Sequence, residues 1–565
     1  MLNLQKSILL SQIMLFLIWL AVIVAVVYLY FRQLYSQFSS YGVKTMPTLP
    51  VVGSMGKILL QKEHFADHIS RTYFSFPDER MVGRFEFTKP MLIIRDIELI
   101  KKITVKDFDY FVDHRTIIDE NTDPMFGRNL FSLKGQEWKD MRSTLSPAFT
   151  SSKIRVMVPF MVEVGDQMIK ALKDKINMSD KSDYIDVDVK DLTTRYANDV
   201  IASCAFGLKV DSHADIDNRF YAVGKATSTF KFKQILMIFG FMSFPKIMKP
   251  LFKSDFLVYH KYHHLFVLQT FKITLFTEES KRFFKSLVMG TMQKREENNI
   301  IRPDMIHLLM EAKKGRLTHD DNTSKDVDAG FATVEESSVG KKDVNRVWSD
   351  DDLIAQAILF FIAGFETVSS GMSFLLHELA MNPDVQERLV KEIRANHEKN
   401  DGKFDYNSIQ NMTYMDMVIS ETLRLWPPAI ALDRICVKDY NCGKPNDKAT
   451  EDFILRKGTG IGIPTWAFHH DPEYFPEPEK FDPERFSEDN KHMVNPFAYM
   501  PFGLGPRNCI GSRFALCEMK VMAYQLLLHM EISPAEKTCI PAKLSRDTFN
   551  IKLEGGHWLR FRIRK

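Results

Sequence analysis

Pro501-Phe502-Gly503-Leu504-Gly505-Pro506-Arg507-Asn508-Cys509-Ile510-Gly511 decides how the rest of this 565-residue chain is read. Three glycines and two prolines make it a turn-rich loop, and the run Ser512 to Leu528 after it reads as a helix. The loop therefore delivers one cysteine to a helix start. A helix's positive end, with backbone N–H groups aimed at the sulfur, favours the thiolate, which is the ligand form of cysteine. Gly503 and Gly505 open backbone conformations closed to residues with a Cβ, and Gly511 allows close approach of a flat partner. Taken alone, such a cysteine reads as a small buried core residue. The coincidence of Gly, Pro, Arg and Cys in one short pattern argues for a ligand instead.

Phe502, Gly503, Arg507, Cys509 and Gly511, continued by Phe514-Ala515, resemble the haem-loop signature of the cytochrome P450 superfamily position by position. The resemblance implies a mainly α fold with small β-sheets, and haem b (iron protoporphyrin IX) with Cys509 as axial ligand. A thiolate in that position drives O–O cleavage, which is this family's own chemistry. Phe502 is then a haem contact and Arg507 a propionate partner.

The totals agree with a large folded body. Hydrophobic residues make up 45% of the chain, and no internal repeat or pair of linkers divides it. Lys and Arg number 75 against 72 Asp and Glu, so this is no nucleic-acid polycation. Six cysteines without a C-x-x-C pair are too sparse for a disulfide scaffold and suit a reducing compartment.

Ile13 to Phe31 carries no charge and is long enough to cross most of a bilayer core, longer than a signal-peptide h-region. Positive charge is scarce before it and richer after it, which places the body in the cytosol. The expected organisation is a single transmembrane anchor over 1–32, a proline-rich hinge over 33–53 and a catalytic domain over 54–565. The runs Met81 to Phe87 and Met91 to Arg95 read as strands, and Phe453 to Leu455 with Ile551 to Leu553 as the strands that finish the smaller sheet. Phe108 to Asn129 reads as a long loop, with His114 a haem contact and Phe111 and Phe126 pocket residues. Residues 220–271 are apolar and basic together, as in a segment that dips into lipid headgroups, although ordinary core has the same composition. Residues 313–345 read as a polar, mobile connector, long for the family.

Further motifs carry the resemblance. Trp138 and Arg142 lie four apart on one helix face and match W-x-x-x-R, which implies that both reach a haem propionate. Ser349 and Asp352 cap a long apolar helix containing Ala363-Gly364-Phe365-Glu366-Thr367. Glycine there costs about 1 kcal/mol relative to alanine, so its thinness must be used. The match to A/G-G-x-E/D-T implies that Thr367 and Glu366 relay protons, while Leu359, Ile362 and Ala363 line the substrate pocket. A threonine bonded to its own helix backbone is the alternative for Thr367. Glu421 and Arg424 match E-x-x-R and, with Arg485, form an architectural network. Ala429, Ile430 and Ala431 line the pocket, and Arg434 aligns with a propionate-binding arginine.

The resemblance implies a monooxygenase of the microsomal xenobiotic-oxidising clan, closest to its insect members. Lipophilic small molecules and O2 are the expected substrates. Electrons come from NADPH-cytochrome P450 reductase, with cytochrome b5 as a second donor. The expected location is the endoplasmic reticulum membrane, in contact with membrane lipid and with no nucleic acid bound. A biosynthetic oxidase, a reductase-independent isomerase and a silent haem-binding protein are the alternatives.

Overall fold

Asp350–Met381 is the axis on which the other helices pack. Ser349 and Asp352 start it with a reciprocal capping box: the Asp352 N–H donates to Ser349 Oγ, and the Ser349 N–H donates to Asp352 Oδ2. The same Asp352 accepts from Arg128 Nε at 2.6 Å, and one turn on Gln356 Oε1 accepts from the Leu130 N–H. The first two turns of the helix thus hold the 128–130 loop in place. Val189–Cys204 crosses the helix at Gly364, where a Cβ would come within 3.0 Å of Ile201 Cδ1. Close approach of two backbones is the use to which this glycine is put. Val158–Asn177 and Ser512–His529 complete the buried helical layer.

The structure is a computed structural model. It describes residues 2–115, 120, 123–179, 183–228, 240, 244, 277–315, 330–337, 339 and 347–565, with the backbone alone for 2–9. Most of the apolar and basic stretch 220–271 lies outside the described residues. Its first turns form the helix Arg219–Ser228, with Phe220 and Tyr221 buried.

Strands β1 (Met81–Glu86) and β2 (Lys89–Ile94) form a hairpin and both are buried, as their apolar runs predict. β2 pairs in parallel with β7 (Gly460–Ile463), and β7 pairs antiparallel with β4 (Leu432–Ile435), giving the order β1-β2-β7-β4. β3 (Tyr184–Asp188), β9 (Trp558–Ile563) and β8 (Met530–Pro534) make a second sheet, in the order β3-β9-β8. β5 (Tyr440–Asn441) and β6 (Ile454–Leu455) form the third. The expected strand Ile551 to Leu553 does not form; only Leu553 makes an isolated bridge, to Leu544. Its Leu553 N–H is instead taken by His557 Nε2, so the segment closes a turn.

Leu10–Tyr35 is apolar, unburied over its most apolar stretch, and long enough to cross a bilayer. Asp350–Met381 passes the same test of length and composition, but it is mostly buried as the core helix just described. Residues 33–53 are docked rather than free. Tyr35 Oη donates to Leu49 O at 3.1 Å, Thr45 bridges Gly83, and Phe38 is buried against Phe85. Within the connector, residues 330–337 are packed against the body.

Candidate functional site

The cysteine loop owes its path to two left-handed glycines. Gly503 has φ +79° and Gly505 φ +66°, and a Cβ on Gly505 would lie 1.8 Å from Thr104 O. The Cys509 N–H donates to Phe502 O at 2.8 Å, closing the turn so that the thiol opens upward three residues before the helix Ser512–His529. Above it lies a cavity of about 1750 Å³, counting its open mouth. Its enclosed part, about 390 Å³, is of the size of a ligand pocket.

Floor and roof come from the two motifs. Pro501, Phe502, Cys509 and Gly511 form the floor, and Leu359, Phe360, Ala363, Gly364, Thr367 and Val368 share the roof stripe of the long helix. Apolar residues supply nearly all the rest of the wall. Ala429 lines the cavity, while Ile430 and Ala431 do not, because bends at Pro428 and Ile430 break the extended path. Ile362 also lies outside the lining, turned a third of the way round the helix from the roof stripe. Phe111 is fully buried against Tyr440 at 4.9 Å, in core rather than cavity wall. Phe126 packs against the core from the short helix Pro124–Gly127 and is likewise outside the lining among the described residues.

Thr367 Oγ1 donates to Ala363 O at 2.5 Å, so the backbone-bonded arrangement is present in the cavity itself. Glu366 does not line the cavity. Its carboxylate meets Lys190 Nζ at 3.2 Å, and that ammonium also donates to Ser369 Oγ and Ser370 Oγ. Burial lowers the Lys190 pKa, opposed by the neighbouring Glu366 charge.

The rim carries the cations. His114 stacks on Phe131, and its ring Nδ1 lies 2.9 Å from Asp433 Oδ1. Burial lowers His114, opposed by the Asp433 charge and by this bond. Burial alone would raise Asp433, but His114 and the Arg115 N–H hold it well below the usual carboxylate range. Arg434 reaches Asp433 O and Leu504 O with its terminal nitrogens, and burial lowers it to about 10, still cationic at neutral pH. Its Nε has no partner among the described residues. A buried, unpaired donor beside an apolar slot is what a propionate would satisfy.

Arg507 is otherwise occupied. Its guanidinium donates to the carbonyls of Val112, Leu130, Phe131 and Leu133 and stacks 4.0 Å above the ring of Trp138. Geometry thus gives it the work of fastening the 130–133 loop to the cysteine loop. Trp138 is buried beneath it and borders the cavity. Arg142 also borders the cavity, yet it donates to Asn508 O and Oδ1 and to the Glu336 carboxylate.

The loop acts on the Cys509 thiol in two directions. Burial pushes the thiol up, and the Gly511 N–H and Arg142 charge offset this only in part. A coordinating metal deprotonates such a thiol outright. Thiol, apolar slot and unpaired Arg434 donor together fit haem.

Beneath the loop, Glu421 and Arg424 are wholly buried and joined by two bonds of 2.7 and 2.9 Å, with Arg485 Nε 3.4 Å from Glu421. Arg424 also donates to His469 O and Pro478 O. Sequence reasoning missed His469. Its Nδ1 donates to Arg424 O and its Nε2 accepts from the Met500 N–H, so it links the ion pair to the residue before the loop. Burial and the Arg424 charge lower it to about 3, so the ring is neutral, as a ring that both donates and accepts must be.

A mainly helical body with one cysteine under an apolar slot, facing a helix that carries Gly364 and Thr367, defines a haem-thiolate oxygenase. The chain belongs to the cytochrome P450 family: the family model described as Cytochrome P450 matches residues 44–555. It is 43% identical to cytochrome P450 9e2 of Blattella germanica over 547 residues, covering 95% of this chain and 96% of the relative. It is 40% identical over 531 residues to the probable cytochrome P450 9f2 of Drosophila melanogaster, covering 93% and 94%. Cytochrome P450 6k1 of Blattella germanica matches at 33% over 530 residues, covering 94% and 93%. The protein is accordingly a monooxygenase of the insect type that binds haem b through a cysteine thiolate.

Proposed function

We propose that this monooxygenase oxidises lipophilic foreign compounds, such as plant toxins and insecticides, at the endoplasmic reticulum membrane with its body in the cytosol. Electrons are drawn from NADPH through a flavoprotein reductase, with cytochrome b5 as a second donor. The observation that carries the reading is the cavity itself: apolar on most of its wall and open above Cys509. Such a wall offers few polar groups with which to select one polar metabolite, and selection by apolar contact alone is weak.

Overall, a substrate C–H bond, O2, two electrons and two protons give an alcohol and water. Bound in the slot, haem supplies dioxygen activation. The chain's own residues do the rest. Cys509 would hold the iron, and His114, Arg434 and Trp138 would receive the propionates. The Leu359, Phe360 and Val368 side of the roof excludes water and orients substrate. The Thr367 hydroxyl, donating to the Ala363 carbonyl, would turn its lone pairs to the slot and accept a hydrogen bond from a water or substrate proton there. Glu366, tethered by Lys190, supplies protons from the far side of the helix.

Turnover of a panel of unrelated lipophilic compounds by the full-length enzyme with reductase and NADPH tests the substrate class. Oxidation of many members supports the proposal. Activity confined to a single sterol, hormone or fatty acid contradicts it and favours a biosynthetic role.

A further inference from the structure

Residues 330–337 lie across the outer side of the cysteine loop. At one end, the Phe331 N–H donates to Asp416 Oδ2 at 2.8 Å, and its ring packs on Phe486 and Tyr499, with centroids at 5.1 and 5.5 Å. Gly330 has φ +123°, and a Cβ there would lie 1.7 Å from Asp416 Oδ1, so only glycine fits the close approach. At the other end, Asn508 Nδ2 donates to Glu335 O at 2.9 Å, across 173 residues of sequence. The Glu336 carboxylate receives Arg142 Nε at 3.1 Å and Nη2 at 2.7 Å. Arg142 in turn holds Asn508, the neighbour of Cys509. Between the two anchors Ala332 is 4% exposed.

The placement matters because electron transfer weakens steeply with distance. A donor protein must approach the surface nearest the Cys509 sulfur; the long helix and its neighbours cover the other side of the cavity. The surface outside Asn508 is that approach, and the connector occupies it. Its fastening is confined to its two ends: the Phe331 ring and N–H at one, and at the other the Glu335 O bond to Asn508 and the Arg142 ion pair of Glu336, an acid 18% exposed. Segments held by few buried contacts open locally at low free energy.

We infer that residues 330–337 form a strap over the electron-entry face and that the flavoprotein donor displaces it on docking. The inference rests on the reading that electrons arrive from a separate protein. Two measurements on the full-length, haem-loaded enzyme in bilayers test it, using an NADPH-dependent diflavin reductase as donor. Hydrogen exchange at the Phe331 amide rises when the reductase is added. First-electron reduction is faster in Phe331→Ala and Glu336→Gln by about threefold, the scale of one partly exposed ion pair. Peroxide-supported turnover and the carbon-monoxide band of Phe331→Ala stay at native values. Exchange that is unchanged or slowed, with variant rates at or below native, overturns the strap. Where Glu336→Gln loses haem, Phe331→Ala decides alone, its ring lying against Phe486 and Tyr499 away from the cavity. A native enzyme with a normal band that the reductase does not reduce contradicts the separate-donor reading and the strap with it. Normal reduction with unaffected variants sinks the strap only.

Discussion

Thr367 shows how much one side chain can be asked to do. Its hydroxyl is committed to Ala363 O as donor, which leaves its lone pairs facing the slot. Loss of a proton-handling group in a transition state costs about 10²–10⁴ in rate. Thr367→Ala is therefore expected to keep consuming NADPH while product per NADPH falls by about tenfold or more, the electrons leaving as hydrogen peroxide. Thr367→Ser retains most of the coupling. Product and peroxide quantified against NADPH check this; unchanged coupling in Thr367→Ala assigns the threonine to helix structure alone. Thr367, Cys509, Glu421 and Arg424 were legible because each belongs to a pattern of near neighbours in sequence. Lys190, Glu336 and His469 were not, since each acquires its partner only when distant segments meet.

Elements explain why the loop stays in register. The helix Thr413–Leu425 carries Arg424 in its last turn, and that guanidinium gathers Glu421 and the carbonyls of His469 and Pro478 into one buried knot. Removing one partner of a wholly buried ion pair strands the other charge, at a cost of about 3–5 kcal/mol. Arg424→Ala is expected to lose that much in denaturant unfolding and to release haem at lower denaturant than native protein. An unfolding midpoint at the native value shows the knot to be dispensable. Helices with apolar periodicity and caps, such as Asp350–Met381, could be placed from sequence to within a few residues. Strand partners could not: β3 lies with β9 and β8 through contacts that span most of the chain. The segment Ile551 to Leu553 has strand composition, but His557 Nε2 takes its Leu553 N–H.

The molecule as a whole responds to pH through groups that burial holds away from their ordinary values. His469 is lowered to about 3, and His213, His377 and His470 to about 4. Between those values and about 6.5 the unfolded chain binds the extra protons, so stability is present above pH ~6.5 and lost as pH falls. Glu378, raised to about 7, and Asp199, raised to about 6, act with the opposite sign. Only a difference between proteins isolates one group. His469→Gln is less stable than native at pH 7, and the gap narrows by about 2 kcal/mol on going to pH 5. Urea unfolding at both pH values checks it; parallel losses in the two proteins contradict a neutral, buried His469.

All three scales converge on the sulfur of Cys509, and the reduced, carbon-monoxide-bound absorption spectrum interrogates that atom most directly. The native enzyme is expected to give the band characteristic of thiolate-ligated haem, and Cys509→Ala to lack it. A native protein without porphyrin, or a Cys509→Ala variant that keeps the thiolate band, would contradict the account.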